Sequence, residues 1–226
     1  MVHVEPKFET KYLSEKPPDD PTIPGVIKLL GRADGLGFAP SYTHGDRDQC
    51  IGSFGNAWWR SKDGTDIVTA SGTHFGNMEP DCFVTLEDFR YFPEDRMNRA
   101  YVHGTKKATS EAGIYFAVSR LHPEAMGAIH GHYAKLTEAE KELGADELRR
   151  MLNLDIRVTE REEPYGIPVF TRLVLHAMGV DPFSNGDSCI VQAKNHGVFV
   201  FSGDERGILA AGDKMLQLYD VCEKML

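Results

Sequence analysis

The sequence predicts an α/β protein of three layers, with helices packed around one sheet, and three observations carry that prediction. The chain has 226 residues, enough to bury the core of a single domain. Short β-branched or aromatic segments, bounded by Gly, Asp and Pro, recur from Cys50 onward. Stretches with apolar residues at helical spacing lie between them, so strands and helices interleave around a common core.

Taken in order, the segment from Lys16 to Pro24 has four prolines in nine residues and cannot form a helix or a central strand. It reads as the end of an extended arm over residues 1–24, with a single folded domain over 25–226. Val26 to Leu30 reads as a short apolar helix, ended by a glycine-rich loop from Gly31 to Gly37. Strands are expected at Asp66–Thr69, Cys82–Leu86, Ala100–His103, Ala125–His130, Ser188–Gln192 and Gly197–Phe201. A helix from Ser110 to Leu121 follows from a hydroxyl cap candidate, the stripe Ile114, Ala117, Val118 and Leu121, and Pro123 just beyond. Thr137 to Leu152 reads as two charged helices separated by Gly144. Arg172 to Met178 forms a further helix. Asp204 to Cys222 carries Ile208, Leu209, Met215, Leu216, Leu218, Tyr219 and Cys222, an apolar stripe long enough to cover a sheet face.

Composition narrows the function. A net charge of −9 argues against nucleic acid as a partner, because that binding rests on a basic stripe. It leaves small anions open, since a few amides and one or two cations can hold a phosphate on an acidic protein. No apolar run reaches membrane-spanning length and the first ten residues lack the order of a signal peptide, so a cytoplasmic location is expected, without membrane contact. Cys50, Cys82, Cys189 and Cys222 form no Cys-x-x-Cys pair and read as buried apolar residues. Trp58 and Trp59 read as packing residues.

The chemistry is written in the histidines. His130 and His132 flank one glycine on an expected strand, where side chains at i and i+2 face the same way and can offer two imidazoles to one ion. His196, in Asn195-His196-Gly197, is a third. Three neutral imidazoles with one position left open make a catalytic metal site. Taken alone, a His-x-His pair is more often a surface or core pair than a metal site. Thr109-Ser110-Glu111 adds two hydroxyls and a carboxylate at a helix start, where Ser110 could equally be a cap and Glu111 a first-turn acid. Thr69-Ala70-Ser71-Gly72-Thr73 closes a strand with small residues, and Gly55-Asn56 reads as a turn before it.

In this order, from Gly55 to Cys222, the fragments resemble the class II aldolase/adducin-like family. That resemblance implies a three-layer αβα fold with a central, mostly antiparallel sheet, close to that of fuculose-phosphate aldolases. It also implies a divalent metal, zinc in most of the family, on His130, His132 and His196, with Glu111 as a further ligand in the free enzyme. The metal would act as a Lewis acid on a ketose or keto acid, and Glu111 would move a proton as an enediolate forms. Asn56, Ser71, Gly72, Thr109 and Ser110 would hold the phosphate of a small phosphorylated substrate. The implied activity is a carbon–carbon lyase of aldolase or decarboxylase type, assembled as a homotetramer.

Several positions depart from the family pattern. Tyr115 stands where many members have histidine, and Tyr133 where most have Ser or Pro. The sequence stops close to its last helix, so a proton donated from a tail tyrosine, as in family aldolases, is not expected, and Tyr115, Tyr133 or Tyr165 would have to supply it if the reaction needs one. The alternatives are a sugar-phosphate epimerase, whose branch usually has aspartate at Glu111, a dehydratase, or a non-catalytic adducin-like module. An unrelated metal-binding barrel would place Glu138 rather than Glu111 beside the histidine pair. His44, His74, His103, His122 and His176 match no motif and are expected on the surface or in hydrogen bonds, His74 being the closest to substrate.

Overall fold

Short β-branched and aromatic segments join into one mixed sheet of nine strands in a computed structural model that describes residues 8–43, 50–92, 94, 97–163, 168–184 and 186–226. Across the sheet the strands are β1 (Phe8–Ser14), β7 (Met97–His103), β6 (Phe83–Phe92), β5 (Asp66–Thr69), β4 (Gly55–Arg60), β8 (Gly127–Gly131), β11 (Gly197–Ser202), β10 (Ser188–Ala193) and β9 (Ile156–Val158). The outermost pairs, β1 with β7 and β9 with β10, are parallel. The pairs between them are antiparallel. Strands β2 (Ser41–Thr43) and β3 (Cys50–Ser53) form a separate antiparallel pair.

Helices α1 (Ile23–Gly35), α2 (Ala112–Leu121), α3 (Ala134–Leu143), α4 (Ala145–Leu152), α5 (Pro168–Met178) and α6 (Ile208–Met225) complete the described fold. The central strands are apolar on both faces, and successive residues sort into two clusters as a pleated strand requires. Trp59, Ile129, Val198 and Val200 pack with Val26 and Leu30 of α1 and with Met215 and Leu218 of α6. Trp58, Ala128, Phe199 and Phe201 pack with Ile114 and Val118 of α2 and with Phe170 and Val174 of α5. Both tryptophans are buried, as expected of packing residues, and burial of such a side chain stabilises by roughly 1.5–3 kcal/mol.

A buried polar cluster fixes α2 on the second face. Asp66 accepts from Trp58 Nε1 at 3.0 Å and from Ser119 Oγ at 2.8 Å. Arg60 donates to the carbonyls of Ser119 and Pro123 at 2.7 and 2.6 Å, so the end of α2 is tied to the end of β4. The helix stops at Leu121, just ahead of Pro123.

Some expectations are corrected. The first helix does not end at Leu30: α1 runs through Gly31 to Gly35. Burial of Ile23, Val26, Leu30 and Ala33 on one face outweighs the cost of about 1 kcal/mol for each helical glycine. Residues 8–14 of the expected arm form edge strand β1, whereas residues 16–20 have no regular structure. Gly55 and Asn56 open strand β4 rather than form a turn. Ser110 does not cap α2; Glu111 occupies the cap position and makes no side-chain cap bond. The last helix begins at Ile208, because Asp204 Oδ1 accepts from Arg206 N at 2.8 Å and Gly207 has φ +56°, a turn that precedes the helix. Cys82, Cys189 and Cys222 are buried free thiols, as expected. The side chain of Cys50, together with His44 and Tyr165, lies outside the described residues. No helix among the described residues is long and apolar enough to cross a membrane.

Candidate metal centre

Three neighbouring strands bring the histidines together at one end of the sheet. Strand β8 leaves the sheet at Gly131, opposite Gly55 of β4 and Val198 of β11, so His132 emerges where β11 begins and where the preceding turn holds His196. That turn is tight: His196 N donates to Ala193 O at 3.0 Å, and Asn195 takes the left-handed conformation at φ 56°. Asparagine tolerates this region better than most residues. One nitrogen from each of His130, His132 and His196 lies within 4.8 Å of the others. Ligand atoms around a tetrahedral zinc ion stand about 3.3 Å apart, so a small inward movement of the imidazoles would close the shell.

Glycines make this approach possible. A Cβ on Gly197 would lie 2.6 Å from the Gly131 carbonyl oxygen, 2.8 Å from His130 Cε1 and 3.1 Å from His132 Cδ2. A Cβ on Gly131 would lie 2.3 Å from the carbonyl oxygen of Phe38. Aromatic rings pack against the imidazoles: Phe199 stacks on His130 at 4.0 Å, Phe54 on His132 at 5.3 Å, and Phe170 meets His196 edge-on at 4.9 Å.

Electrostatics favour a cation. His130 Nδ1 lies 3.0 Å from the Val198 carbonyl, which fixes the proton on Nδ1 and turns the Nε2 lone pair into the site. That Nε2 is buried without a hydrogen-bond partner among the described residues, an arrangement a bound ion would satisfy. Burial, with the neighbouring imidazole of His196, pushes His130 down to about 4, against the pull of Glu111. Burial and the other two imidazoles likewise hold His132 well below the usual histidine range. Both rings are therefore neutral at pH 7, the form that binds metal.

Glu111, at the start of α2, supplies the negative charge. Its Oε1 lies 2.8 Å from His196 Nε2, and its Oε2 lies 3.4 Å from His130 Nε2 and accepts from Asn56 Nδ2 at 2.6 Å. Burial pushes its carboxyl up, but His130, His196 and the Asn56 amide outweigh that and hold it below the usual carboxylate range. The residue beside the histidines is thus Glu111. Glu138, the alternative, is exposed on α3.

The other expected residues fall into two groups. Thr69–Thr73 lies against Lys107–Ser110 through the Ala70–Ala108 bridge, with Ser71 N donating to Lys107 O at 2.8 Å and Thr109 N to Thr69 O at 3.1 Å. These two amides, expected to face a ligand, are spent within the fold. The hydroxyls of Ser71 and Ser110 remain accessible, and Gly72 is exposed at φ 71°. Asn56 is on β4 opposite His130, and its amide lies between Glu111 and the buried hydroxyl of Tyr115. Tyr133, despite following His132, turns away and donates to Glu223 of α6 at 2.5 Å. Of the unmatched histidines, His74 contacts Ser41 at 2.7 Å, His103 contacts Ser14 at 2.9 Å, and His176 and His122 pair with Glu160 and Glu124.

Sequence reasoning missed Arg172. It is exposed on α5 and lines a cavity of about 290 Å³ together with Ser110, Glu111, Ile114 and Phe89. Only spatial proximity between α2 and α5 reveals it. The roles of Gly131 and Gly197 were within reach, because each glycine adjoins a histidine of the cluster.

Comparison with known proteins bears on the fold. The fold is similar to that of an L-fuculose 1-phosphate aldolase, with a TM-score of 0.66 and 14% identity over 92% of this chain and 86% of the other. It is similar to l-fuculose-1-phosphate aldolase from Thermus thermophilus, with a TM-score of 0.60 and 16% identity over 89% and 91%. It is also similar to a sugar-phosphate aldolase from Thermotoga maritima, with a TM-score of 0.59 and 18% identity over 90% and 93%. No curated protein sequence matches the chain. The sequence profile of the class II aldolase and adducin N-terminal domain matches residues 42–226, and the chain belongs to that family.

Proposed function

We propose that this protein is a metal-dependent carbon–carbon lyase, of aldolase or decarboxylase type, acting on a small phosphorylated sugar or keto acid. The observation that carries the reading is the buried, ionised Glu111 set against the imidazoles of His130 and His196, with His132 completing the cluster. A non-catalytic module has no need of a carboxylate and three convergent imidazoles held out of water. His130, His132 and His196, joined by Glu111 before substrate enters, would hold a divalent cation, zinc in our reading, since neutral imidazoles and one carboxylate suit it. When bound, such an ion supplies Lewis-acid polarisation of a substrate oxygen.

The remaining work falls to the chain's own residues. Glu111, ionised and adjacent to the cluster, accepts a proton from substrate and returns it. The hydroxyls of Ser71, Thr109 and Ser110, the Gly72 loop and the remaining amide hydrogen of Asn56 hold the phosphate, near the positive end of α2. Two tyrosines weighed as proton donors are engaged elsewhere: Tyr115 bonds Asn56 and Tyr133 bonds Glu223. A cytoplasmic location and assembly as a homotetramer belong to the same reading, and mass measurement in solution tests the latter.

A retro-aldol assay on a panel of ketose 1-phosphates tests the aldolase version. Metal-loaded protein is expected to release an aldehyde and a three-carbon phosphate, and both metal-stripped protein and Glu111→Gln are expected to be inactive. Equal turnover in metal-stripped protein would overturn the proposal.

A further inference from the structure

We infer that Tyr115 is a positioning residue for Glu111, acting through the side-chain amide of Asn56. The inference rests on the reading of Glu111 as the carboxylate of the metal centre. It adds a component that the family resemblance does not supply, because Tyr115 stands where many members have histidine and was otherwise a candidate proton donor.

Hydrogen-bond polarity fixes the arrangement. A carboxylate can only accept, so the end of the Asn56 amide 2.6 Å from Glu111 Oε2 must be the NH2 group. The amide oxygen then points the other way and must accept, and the donor that reaches it is the Tyr115 hydroxyl. Tyr115 is wholly buried and Asn56 nearly so, which places the bond between the hydroxyl and the amide oxygen out of bulk water. Burial and the charge on Glu111 keep the Tyr115 hydroxyl protonated well above the ordinary tyrosine range, so it stays a donor and holds its proton. Donors aligned towards one anion polarise one another and strengthen the bond that reaches the carboxylate.

Tyr115 is itself held. It lies one turn after Glu111 on α2, and its ring stacks on Trp58 at 6.0 Å with an interplanar angle of 12°. Trp58 is anchored in turn by Asp66, which also binds Ser119 on the same helix. Loss of the hydroxyl would leave the Asn56 oxygen buried and unpaired, and the amide would lose the contact that holds its NH2 group towards Glu111. The carboxylate would then leave its position beside His130 and His196.

Cobalt(II) affinity, measured by competition with a chromogenic chelator, tests the relay in four proteins: the unaltered chain, Tyr115→Phe, Glu111→Gln and the double variant. Tyr115→Phe is expected to weaken cobalt binding by about 10-fold or more, the range for groups that orient a metal ligand. In the Glu111→Gln background the same change is expected to cost less than about 2-fold, because the residue it positions no longer binds as a carboxylate. Asn56→Ala should repeat this pattern if Tyr115→Phe folds poorly. An equal loss in both backgrounds, or none in either, overturns the relay. Failure of the unaltered chain to bind cobalt would overturn the metal reading separately. The relay would then be decided by the Asn56 side-chain amide resonance in metal-free protein. A low-field proton lost in both Tyr115→Phe and Glu111→Gln supports it, and one unchanged in Tyr115→Phe overturns it.

Discussion

Gly197→Ala tests whether the metal centre depends on the close approach of β8 and β11. The new Cβ would stand 2.6 Å from the Gly131 carbonyl oxygen and 2.8 Å from His130 Cε1, where ordinary contact begins at 3.4 Å. The deficits are therefore about 0.8 Å against backbone and about 0.6 Å against the imidazole, too large to absorb in close-packed surroundings without movement. The Gly131 oxygen belongs to strands paired through Gly131 and Val198, and the His130 ring is wedged against Phe199, so neither neighbour has an easy retreat. Overpacking of this kind costs about 1–3 kcal/mol. A ligand displaced by about 0.6 Å also exceeds the tolerance of roughly 0.2 Å on a metal–ligand distance. Urea denaturation of metal-free protein, paired with cobalt titration, is expected to show a modest stability loss together with a much larger loss of affinity. A folded Gly197→Ala protein with undiminished cobalt affinity would refute the reasoning.

Asp66→Ala should cost about 3 kcal/mol in urea denaturation, because it leaves the Trp58 indole unpaired in the core and takes the buried carboxylate away from Arg60 and Ser119; a loss below about 1 kcal/mol would contradict the clamp on α2. In metal-free protein, stability should fall as pH drops from about 6.5 to 4: His130 is depressed to about 4 when folded, so the unfolded chain binds a proton there that the native chain does not. The contribution is fully present above the unfolded value and lost as pH falls through the folded one, up to about 3 kcal/mol, and His130→Ala should flatten this slope. Arg172→Ala should raise KM for an anionic substrate about 10-fold or more with little change in kcat, whereas unchanged kinetics would place the substrate outside the cavity between α2 and α5.

Much of the candidate site was legible in the sequence because its histidines sit at strand ends. The His130–His132 spacing already placed two imidazoles on one face, and Asn195-His196-Gly197 marked a turn next to an apolar strand. The fold was legible where burial and periodicity agree, as in α2, α6, β10 and β11. It was less so where tertiary packing overrides local preference. Gly31 and Gly35 read as breakers, yet the buried stripe of α1 carries the helix through them. Strand β1 has its strand character fixed by pairing to β7, a contact more than eighty residues away in sequence. The hydroxyls and amides around Ser71 and Thr109 read as free groups, because sequence does not reveal that the two segments bond each other. The same limit hid Arg172 and the direction of Tyr133, both set by how helices pack.

The central claim is that His130, His132 and His196 hold one divalent ion beside Glu111. Anomalous diffraction from zinc-loaded crystals tests it directly. One strong peak per chain is expected, about 2.0–2.1 Å from a nitrogen of each of the three imidazoles. Crystals with no peak there, or with the ion bound by other residues, would contradict it.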